Sequence, residues 1–211
     1  GLKTTLFERL AEEYPEKKSM LQTQYRMHER IMEFSSAEFY DNQIVADKSA
    51  ADRTLLDFDL DINSFDNDMS PILDPAEPLT YVDTSTVDAK ERSRQGSSSK
   101  ENPEEALIVA KLAKNLLRSG MAAEDIAVIS PYSDQVDLMD RKIDVEDVEV
   151  KTVDSFQGRE KEVVLISLTR SNGKNSLGFL EDVRRLNVSL KRAKRKLIVV
   201  GDVNTITSHE T

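Results

Sequence analysis

Short, almost wholly apolar runs, separated by segments of helical spacing, set narrow limits on how this chain can fold. Three such runs are Ile126–Ser130 (IAVIS), Val163–Thr169 (VVLISLT) and Leu197–Val200 (LIVV). Each has the length of a strand, and none shows the polar and apolar alternation expected when one face meets solvent. Strands buried on both faces are typical of parallel sheets that helices cover on both sides. The pattern therefore predicts an α/β fold built on a mostly parallel sheet with helices on both faces.

The segments between the apolar runs carry the start and stop signals of helices. Asn102 is a suitable N-cap, Pro103 suits the first helical position, and Gly120 can end the same helix. The predicted apolar face of this helix comprises Leu107, Ala110, Ala113, Leu116 and Leu117. We also predict helices over residues 2–14, 28–39, 132–143 and 181–193, and strands over residues 20–24, 79–82 and 149–153.

A long polar stretch interrupts this order. We predict that residues 1–211 form a single domain with an irregular, partly mobile insertion at about residues 47–102, which contains the strand at 79–82. Residues 57–77 of this insertion include seven acids and two prolines but no Lys or Arg. This acidic stretch is interpreted either as a disordered surface loop or as a regulatory contact.

Composition excludes several classes of protein. The chain has no Cys and only two His residues, His28 and His209, so we predict no disulfide and no metal site. No run approaches the roughly 18 apolar residues of a membrane span. The N-terminus does not resemble a signal peptide, so we expect a cytoplasmic protein, or a nuclear one in a eukaryote, without a membrane partner.

Positive charge is concentrated near the end of the chain. The net charge is −10, yet residues 184–196 hold seven Lys and Arg residues and no acid. Because charge is segregated along the chain, net charge is a poor guide to the binding partner. A basic segment of this kind is usually a solvated face, or here a partner for the acidic insertion.

Four polar stretches fall at the ends of predicted strands, where parallel sheets bind ligands. They are LQTQYRMH (21–28), ISPYSDQ (129–135), TVDSFQGREKE (152–162) and RRLNVSLKRAKRKLIVVGD (184–202). A planar guanidinium can hold two oxygens of one phosphate, so arginines in two of these stretches suggest a phosphate ligand. The chain contains no GxxxxGK(S/T) P-loop and would supply only part of a nucleotide site. We expect one edge of the sheet to carry Tyr25, Arg26, Tyr132, Ser155, Gln157, Glu160 and Arg192.

Each of these features also has an ordinary interpretation. Arg26 could form a surface ion pair, Tyr25 could cover the sheet edge, and the FQG sequence at residues 156–158 could be a turn. From the residues alone, the chain is interpreted as an α/β domain with an anion site at one edge.

In this order and spacing, the four stretches resemble motifs IV, IVa, V with its extension, and VI of superfamily 1 helicases. The QYRMH and VDSFQGRE sequences resemble the 5′-to-3′ branch, which includes the nonsense-mediated-decay helicase, senataxin and the immunoglobulin mu-binding helicase. The resemblance covers roughly residues 2–45 and 100–205. It implies a RecA-like fold and the second RecA-like domain of a longer helicase. The first domain, with the P-loop and the Mg²⁺ ligands, would precede Gly1.

The resemblance further implies that ATP with Mg²⁺ binds between the two domains. Tyr25 would pack near the adenine, Arg26 would reach the γ-phosphate, and Glu160 would lie near the ribose. Arg192 would be the arginine finger, which stabilises charge on the transferring phosphoryl group. The residues implied to bind the nucleotide are Tyr25, Arg26, Gly158, Glu160 and Arg192, of which Arg26 and Arg192 are catalytic.

A second set of residues matches positions that face the single strand in this family. Contacts there would be directed at the backbone of the strand, and binding would be sequence-tolerant and salt-sensitive. Gln157 would couple the nucleotide and strand sites. The implied partners are single-stranded DNA or RNA and the first RecA-like domain of the same polypeptide, in a monomer. The strand-facing residues are Tyr132, Ser155, Thr169, Arg170, Ser171 and Asn172.

The chain departs from the family's usual pattern at Lys191, where Thr is common, and at Ser189, where Ala is usual. Lys191 adds a cation directly before Arg192. The alternative to an enzyme is a non-catalytic helicase-like module that binds nucleic acid or a protein. Retention of Arg26, Glu160 and Arg192 together favours the enzyme. We expect negligible ATPase activity from this domain alone because it lacks the P-loop.

Overall fold

A five-stranded, wholly parallel sheet forms the centre of the described structure. The computed structural model describes residues 53–85, 87–156, 160–171 and 192–202. In these residues the strands lie side by side in the order β1–β5–β4–β2–β3. The predicted α/β class with a parallel sheet is confirmed. The strands are β1 (Leu79–Asp83), β2 (Ile126–Ser130), β3 (Glu149–Thr152), β4 (Lys161–Ser167) and β5 (Ala193–Gly201).

Both faces of the sheet are buried, as its apolar runs predict. Along β2, Ile126 and Val128 belong to the main core, while Ala127 and Ile129 point to the other face and are equally buried. The main core packs under two helices, α1 (Pro103–Arg118) and α2 (Ser133–Ile143). Shorter 3-10 helices cover Leu55–Asp57, Ile62–Ser64 and Ala123–Asp125.

Helix α1 begins and ends where its sequence signals indicate. The side chain of Asn102 accepts a hydrogen bond from the N–H of Glu105 at 3.1 Å, and Pro103 occupies the first turn. Gly120 has a φ of 107°, which suits glycine at the helix end. The prediction for Leu107 was wrong: its side chain is exposed, because the buried stripe runs through Ala106, Val109, Ala110, Leu112, Ala113 and Leu116.

The observed elements differ from the predicted ones mainly at their ends. Strand β5 begins four residues before the predicted Leu197, since its pairing with β4 continues into the basic segment. Strand β4 covers Lys161–Ser167, and the chain turns sharply at Thr169, which has a φ of 73°. Four predicted elements fall wholly or largely outside the described residues. They are the helices predicted over 2–14, 28–39 and 181–193 and the strand predicted over 20–24.

The described part of the segment predicted as an insertion, residues 53–85 and 87–102, is irregular and contains the predicted strand, β1. It also contributes to the core, which the sequence did not indicate. Five of its apolar side chains are buried in the main core, beside those of α1. They belong to Leu55, Phe65, Met69, Ile72 and Leu73.

Two cations of the basic segment, residues 184–196, bind the acidic stretch at residues 57–77, which is called the acidic segment from here on. The Nζ of Lys196 is buried and donates to the carbonyl oxygens of Asp74 (3.0 Å) and Glu77 (2.8 Å) and to the hydroxyl of Thr80 (3.1 Å). Burial lowers the pKa of Lys196 to about 8. Arg195 donates to Asp57 at 3.1 Å and also pairs with Glu162. The interpretation of the basic segment as a partner for the acidic insertion is confirmed for these two residues.

None of the helices in the described ranges is long and apolar enough to cross a membrane.

Candidate functional site

The predicted site residues that the structure describes lie at two opposite edges of the sheet, so the prediction that one edge carries them all was wrong. All strands run parallel, and a residue after a strand therefore lies at the carboxyl edge, while a residue before a strand lies at the amino edge. Tyr132 follows β2 and Ser155 follows β3. Glu160 and Arg192 directly precede β4 and β5 and therefore lie at the amino edge.

At the amino edge, Glu160 and Arg192 are brought close together. The N–H of Lys161, next to Glu160, donates to the carbonyl oxygen of Arg192 at 2.7 Å. The Glu160 carboxylate is exposed and lies 3.9 Å from the ammonium of Lys194. Two residues that are distant in the sequence are thus neighbours at this edge. Five further residues lie outside the described residues. They are the predicted nucleotide-facing residues Tyr25, Arg26 and Gly158, the predicted coupling residue Gln157, and the unusual Lys191.

At the carboxyl edge, Arg170 and Tyr132 form the centre of a second surface. Arg170 Nη1 donates to the Tyr132 hydroxyl at 3.3 Å, and its guanidinium carbon lies 5.9 Å from the centre of the tyrosine ring. Arg170 Nε donates to Glu91 Oε2 at 2.7 Å. The arginine is thus held beside the aromatic ring by a carboxylate from the segment before α1.

Two predicted serines lie on the same edge in different surroundings. Ser171 Oγ donates to Asp202 Oδ2 at 2.6 Å, which joins the end of β4 to the end of β5. Ser155 is exposed in the turn after β3, where its hydroxyl accepts a hydrogen bond from Thr152 Oγ1 at 2.8 Å. Asn172 lies outside the described residues.

Thr169 differs from the other predicted strand contacts because it is completely buried. Its hydroxyl lies 3.0 Å from the Ser130 hydroxyl and 3.3 Å from the Ser167 hydroxyl, so its side chain points into the protein. Thr169 therefore offers no side-chain contact to a strand, and it shapes the turn that carries Arg170 and Ser171.

Residues 2–204 match a protein family described as an AAA domain. The chain belongs to this family. Its parallel sheet is consistent with the RecA-like fold implied by the motifs.

Relatives named as helicases or DNA-binding proteins match almost the whole AAA domain. An uncharacterised ATP-dependent helicase of Methanocaldococcus jannaschii is 41% identical over 209 residues, which are 97% of this chain and 30% of that protein. The DNA polymerase alpha-associated DNA helicase A of Saccharomyces cerevisiae is 38% identical over 98% of this chain and 31% of its own length. The DNA-binding protein SMUBP-2 of Rattus norvegicus is 38% identical over 99% of this chain and 21% of its own. The chain thus spans about a fifth to a third of the length of these relatives.

A buried polar network lies beneath the carboxyl edge of this AAA domain, and sequence reasoning missed it. Glu105 is completely buried and accepts hydrogen bonds from Ser167 Oγ (2.9 Å), Thr169 N–H (3.0 Å) and Asn102 Nδ2 (3.0 Å). Gln135 joins the network by donating to Ser167 Oγ at 3.1 Å. Burial raises the pKa of Glu105 to about 8, and the hydrogen bonds from Thr169 and Ser167 oppose part of that shift.

The sequence signal for Glu105 was ambiguous. An acidic residue three positions after an N-cap is a common helix-start pattern and is favoured by the helix dipole. Such residues are usually solvated, so the pattern alone predicts a capping role for Glu105 and gives no indication of burial. The partners Ser167 and Thr169 become visible only when β4 is placed beside α1.

Proposed function

We propose that this AAA domain is the second RecA-like motor domain of an ATP-dependent nucleic-acid helicase. The observation that supports this most strongly is the division of the matched residues between two edges of one sheet. Glu160 and Arg192, the described members of the nucleotide set, share the amino edge. Tyr132 and Arg170, from the strand-facing set, touch at the carboxyl edge. Because one sheet carries both sites, a change in the bound nucleotide at one edge can alter the contacts with the nucleic-acid strand at the other edge.

At the amino edge, the proposed ligand is ATP with Mg²⁺, shared with a first RecA-like domain that supplies the P-loop and the metal ligands. Arg192 would stabilise the charge that develops on the transferring phosphoryl group, since a guanidinium can donate two parallel hydrogen bonds to phosphoryl oxygens. The exposed Glu160 carboxylate is suited to accept hydrogen bonds from ribose hydroxyls. Tyr25, Arg26 and Gly158 would complete this side of the cleft.

At the carboxyl edge, the proposed ligand is single-stranded DNA or RNA. Arg170 offers a cation for a backbone phosphate, and the ring of Tyr132 beside it offers a surface for a base. Ser171 and Ser155 offer hydroxyls for phosphate or sugar oxygens, with Asn172 beyond them. Gln157 would couple this edge to the nucleotide. The names of the yeast and rat relatives refer to DNA, which supports a nucleic-acid strand as the ligand.

The proposed setting is a monomer in the cytoplasm, or in the nucleus of a eukaryote, working without a membrane. Residues 1–211 would act as one RecA-like domain, with the segment from about 47 to 102 as its insertion. The domain by itself should show negligible ATPase activity, because its sequence contains no GxxxxGK(S/T) motif.

The decisive experiment measures ATPase activity of the full-length protein with and without single-stranded DNA or RNA. We expect strand-stimulated turnover, and we expect Arg192→Ala to lower kcat on the order of a thousandfold, as for other arginine fingers. Arg141→Ala, which removes an exposed arginine of α2, is the matched control and should retain its activity. Near-normal turnover of Arg192→Ala would reject the finger role, and strand binding without any turnover of the parent protein would favour a non-catalytic module.

A further inference from the structure

The turn that carries Arg170 and Ser171 is strained at Thr169. The N–H of Arg170 donates to the carbonyl oxygen of Leu168 at 2.8 Å, which closes a three-residue turn around Thr169. The φ of Thr169 is 73°, the value of the rare and strained form of this turn. For a β-branched residue such a φ is an outlier, and it persists only where surrounding contacts enforce it.

Two buried side chains of the α1 N-terminus enforce this conformation. Glu105 Oε1 accepts from the N–H of Thr169 at 3.0 Å, and Asn102 Nδ2 donates to the carbonyl oxygen of Thr169 at 3.0 Å. Both backbone polar groups of Thr169 are therefore bound by side chains of one helix terminus. Asn102 Nδ2 also donates to Glu105 Oε2 at 3.0 Å, so the two clamping groups hold each other.

The strained turn sets the direction of the next two side chains. Arg170 reaches Tyr132 and Glu91, whereas Ser171 reaches Asp202 at the end of β5. Had β4 continued in an extended conformation, side chains would alternate between the two sheet faces. The turn instead brings Arg170 to Tyr132 at the carboxyl edge.

Capping alone does not explain a buried Glu105. In a capping box the carboxyl at this position would accept from the backbone N–H of Asn102, but that N–H donates to Gln135 Oε1 at 2.8 Å, so the Glu105 carboxyl takes no part in the cap. Burial of a carboxyl group is unfavourable, and Asp202 and Glu91 lie near enough to oppose its ionisation further. A buried ionisable group that is unfavourable for folding, next to a strained backbone position, is a common feature of functional sites.

We propose that Glu105, together with Asn102, is a positioning residue for strand binding. It holds Thr169 in the left-handed turn that presents Arg170 and Ser171 to the nucleic acid. This inference rests on the proposed strand surface at the carboxyl edge.

The first test asks whether Glu105 controls the turn, without any need for strand binding. In Glu105→Gln, an amide N–H₂ group would face either Asn102 Nδ2 or the Thr169 N–H, both of which are donors, so one clamping bond is lost. We expect amide hydrogen exchange of the segment 168–171 in the full-length protein to become about tenfold faster, as local opening becomes easier. Glu104→Gln, the same substitution at an exposed position of the same helical turn, should leave that exchange unchanged. Equal exchange in the two variants would overturn the proposal.

The second test measures affinity for a fluorescent single-stranded oligonucleotide by anisotropy. We expect Glu105→Gln to weaken binding about tenfold and Glu104→Gln to leave it unchanged. Glycine adopts a positive φ without strain, so Thr169→Gly should reduce the effect of Glu105→Gln to about threefold or less. A purely structural loss would be equal in both backgrounds, and such equality would refute the positioning role.

Two further variants separate the possible failures. Asn102→Ser keeps a good N-cap but removes the amide donor to the Thr169 carbonyl, and it should weaken binding even if Glu105→Gln does not fold. Arg170→Ala tests the strand surface itself. If Arg170→Ala binds normally, the proposed surface is rejected, and the positioning inference with it. If Arg170→Ala is weakened while Asn102→Ser and Glu105→Gln bind normally, only the positioning inference is rejected.

Discussion

Arg170 is paired with Glu91, and both side chains are about nine-tenths buried, with exposures of 12% and 10%. The second carboxylate oxygen of Glu91, Oε1, is buried and has no hydrogen-bond donor among the described residues. The Glu91 carboxylate is therefore bound to Arg170 through one oxygen and is incompletely satisfied at the other. On the proposed strand surface, Glu91 therefore competes with a phosphate for the Nε–H of Arg170.

Removal of the Glu91 charge should therefore strengthen strand binding. We expect Glu91→Gln to raise the affinity for single-stranded DNA about threefold, and to steepen its decline with salt, because one more cation is available to phosphate. Oligonucleotide titrations at several salt concentrations would measure both effects. Asp88→Asn is the control, since Asp88 is a neighbouring but exposed acid. Weaker binding by Glu91→Gln would show that Glu91 orients Arg170 and does not compete for it.

The buried Glu105 carboxyl should make folding stability depend on pH. Its pKa rises from 4.5 to about 8 on folding, so the folded state binds the proton more tightly than the unfolded state. Stability is therefore lost as the pH rises from about 4.5 towards 8, by about 1.4 kcal/mol for each pH unit at most. The midpoint of thermal unfolding, measured between pH 5 and 8, should fall more steeply in the parent protein than in Glu105→Gln. Parallel curves for the two proteins would contradict the raised pKa.

At the scale of elements, one lysine connects the acidic segment to the central sheet. Lys196 lies in β5, and its Nζ binds backbone carbonyls of residues 74 and 77 and the hydroxyl of Thr80 at the start of β1. A buried ammonium is unfavourable without such acceptors, and its three donors each have one. This contact explains how a segment with seven acids and little regular structure can pack against the core.

Loss of the Lys196 ammonium should loosen the acidic segment. Hydrogen bonds to charged groups typically contribute about 1.5–3 kcal/mol each. Removing the buried charge offsets part of the loss of these bonds. Lys196→Met should therefore reduce the free energy of unfolding by about 2 kcal/mol. Denaturant unfolding would measure this change, with the exposed Lys114→Met as the control. Hydrogen exchange should increase in residues 66–77 and remain unchanged in α1. Uniform loosening of both regions would contradict a local role.

At the scale of the whole molecule, the two edges should be separable by mutation. Arg170→Ala should raise the strand concentration needed for half-maximal ATPase stimulation about tenfold, with kcat at saturating strand nearly unchanged. Arg192→Ala should instead lower kcat and leave strand affinity in the absence of nucleotide nearly unchanged. Steady-state ATPase titrations with single-stranded DNA would distinguish the two patterns. If Arg170→Ala lowered kcat as strongly as Arg192→Ala, the assignment of the edges to separate ligands would fail.

Much of this architecture was predictable because it rests on local physical chemistry. Apolar runs such as IAVIS and LIVV have no solvated face, which is why a parallel, doubly covered sheet could be inferred. The N-cap at Asn102 and the end of α1 at Gly120 depend on neighbouring residues alone, and both predictions are confirmed. Family membership was also accessible, since four motifs in order are a property of the sequence.

Other features depend on contacts between residues far apart in the chain, and only the tertiary structure decided them. Strand direction placed Glu160 and Arg192 at the edge opposite Tyr132, which a list of strand ends could not reveal. Lys196 resembled a solvated cation until its acceptors, more than 100 residues earlier, were placed beside it. Glu105 resembled a capping acid until β4 brought Thr169 to it. The sequence by itself determined the elements and the family, because those depend on local pattern. Long-range packing decided which charges are buried and which residues share a site.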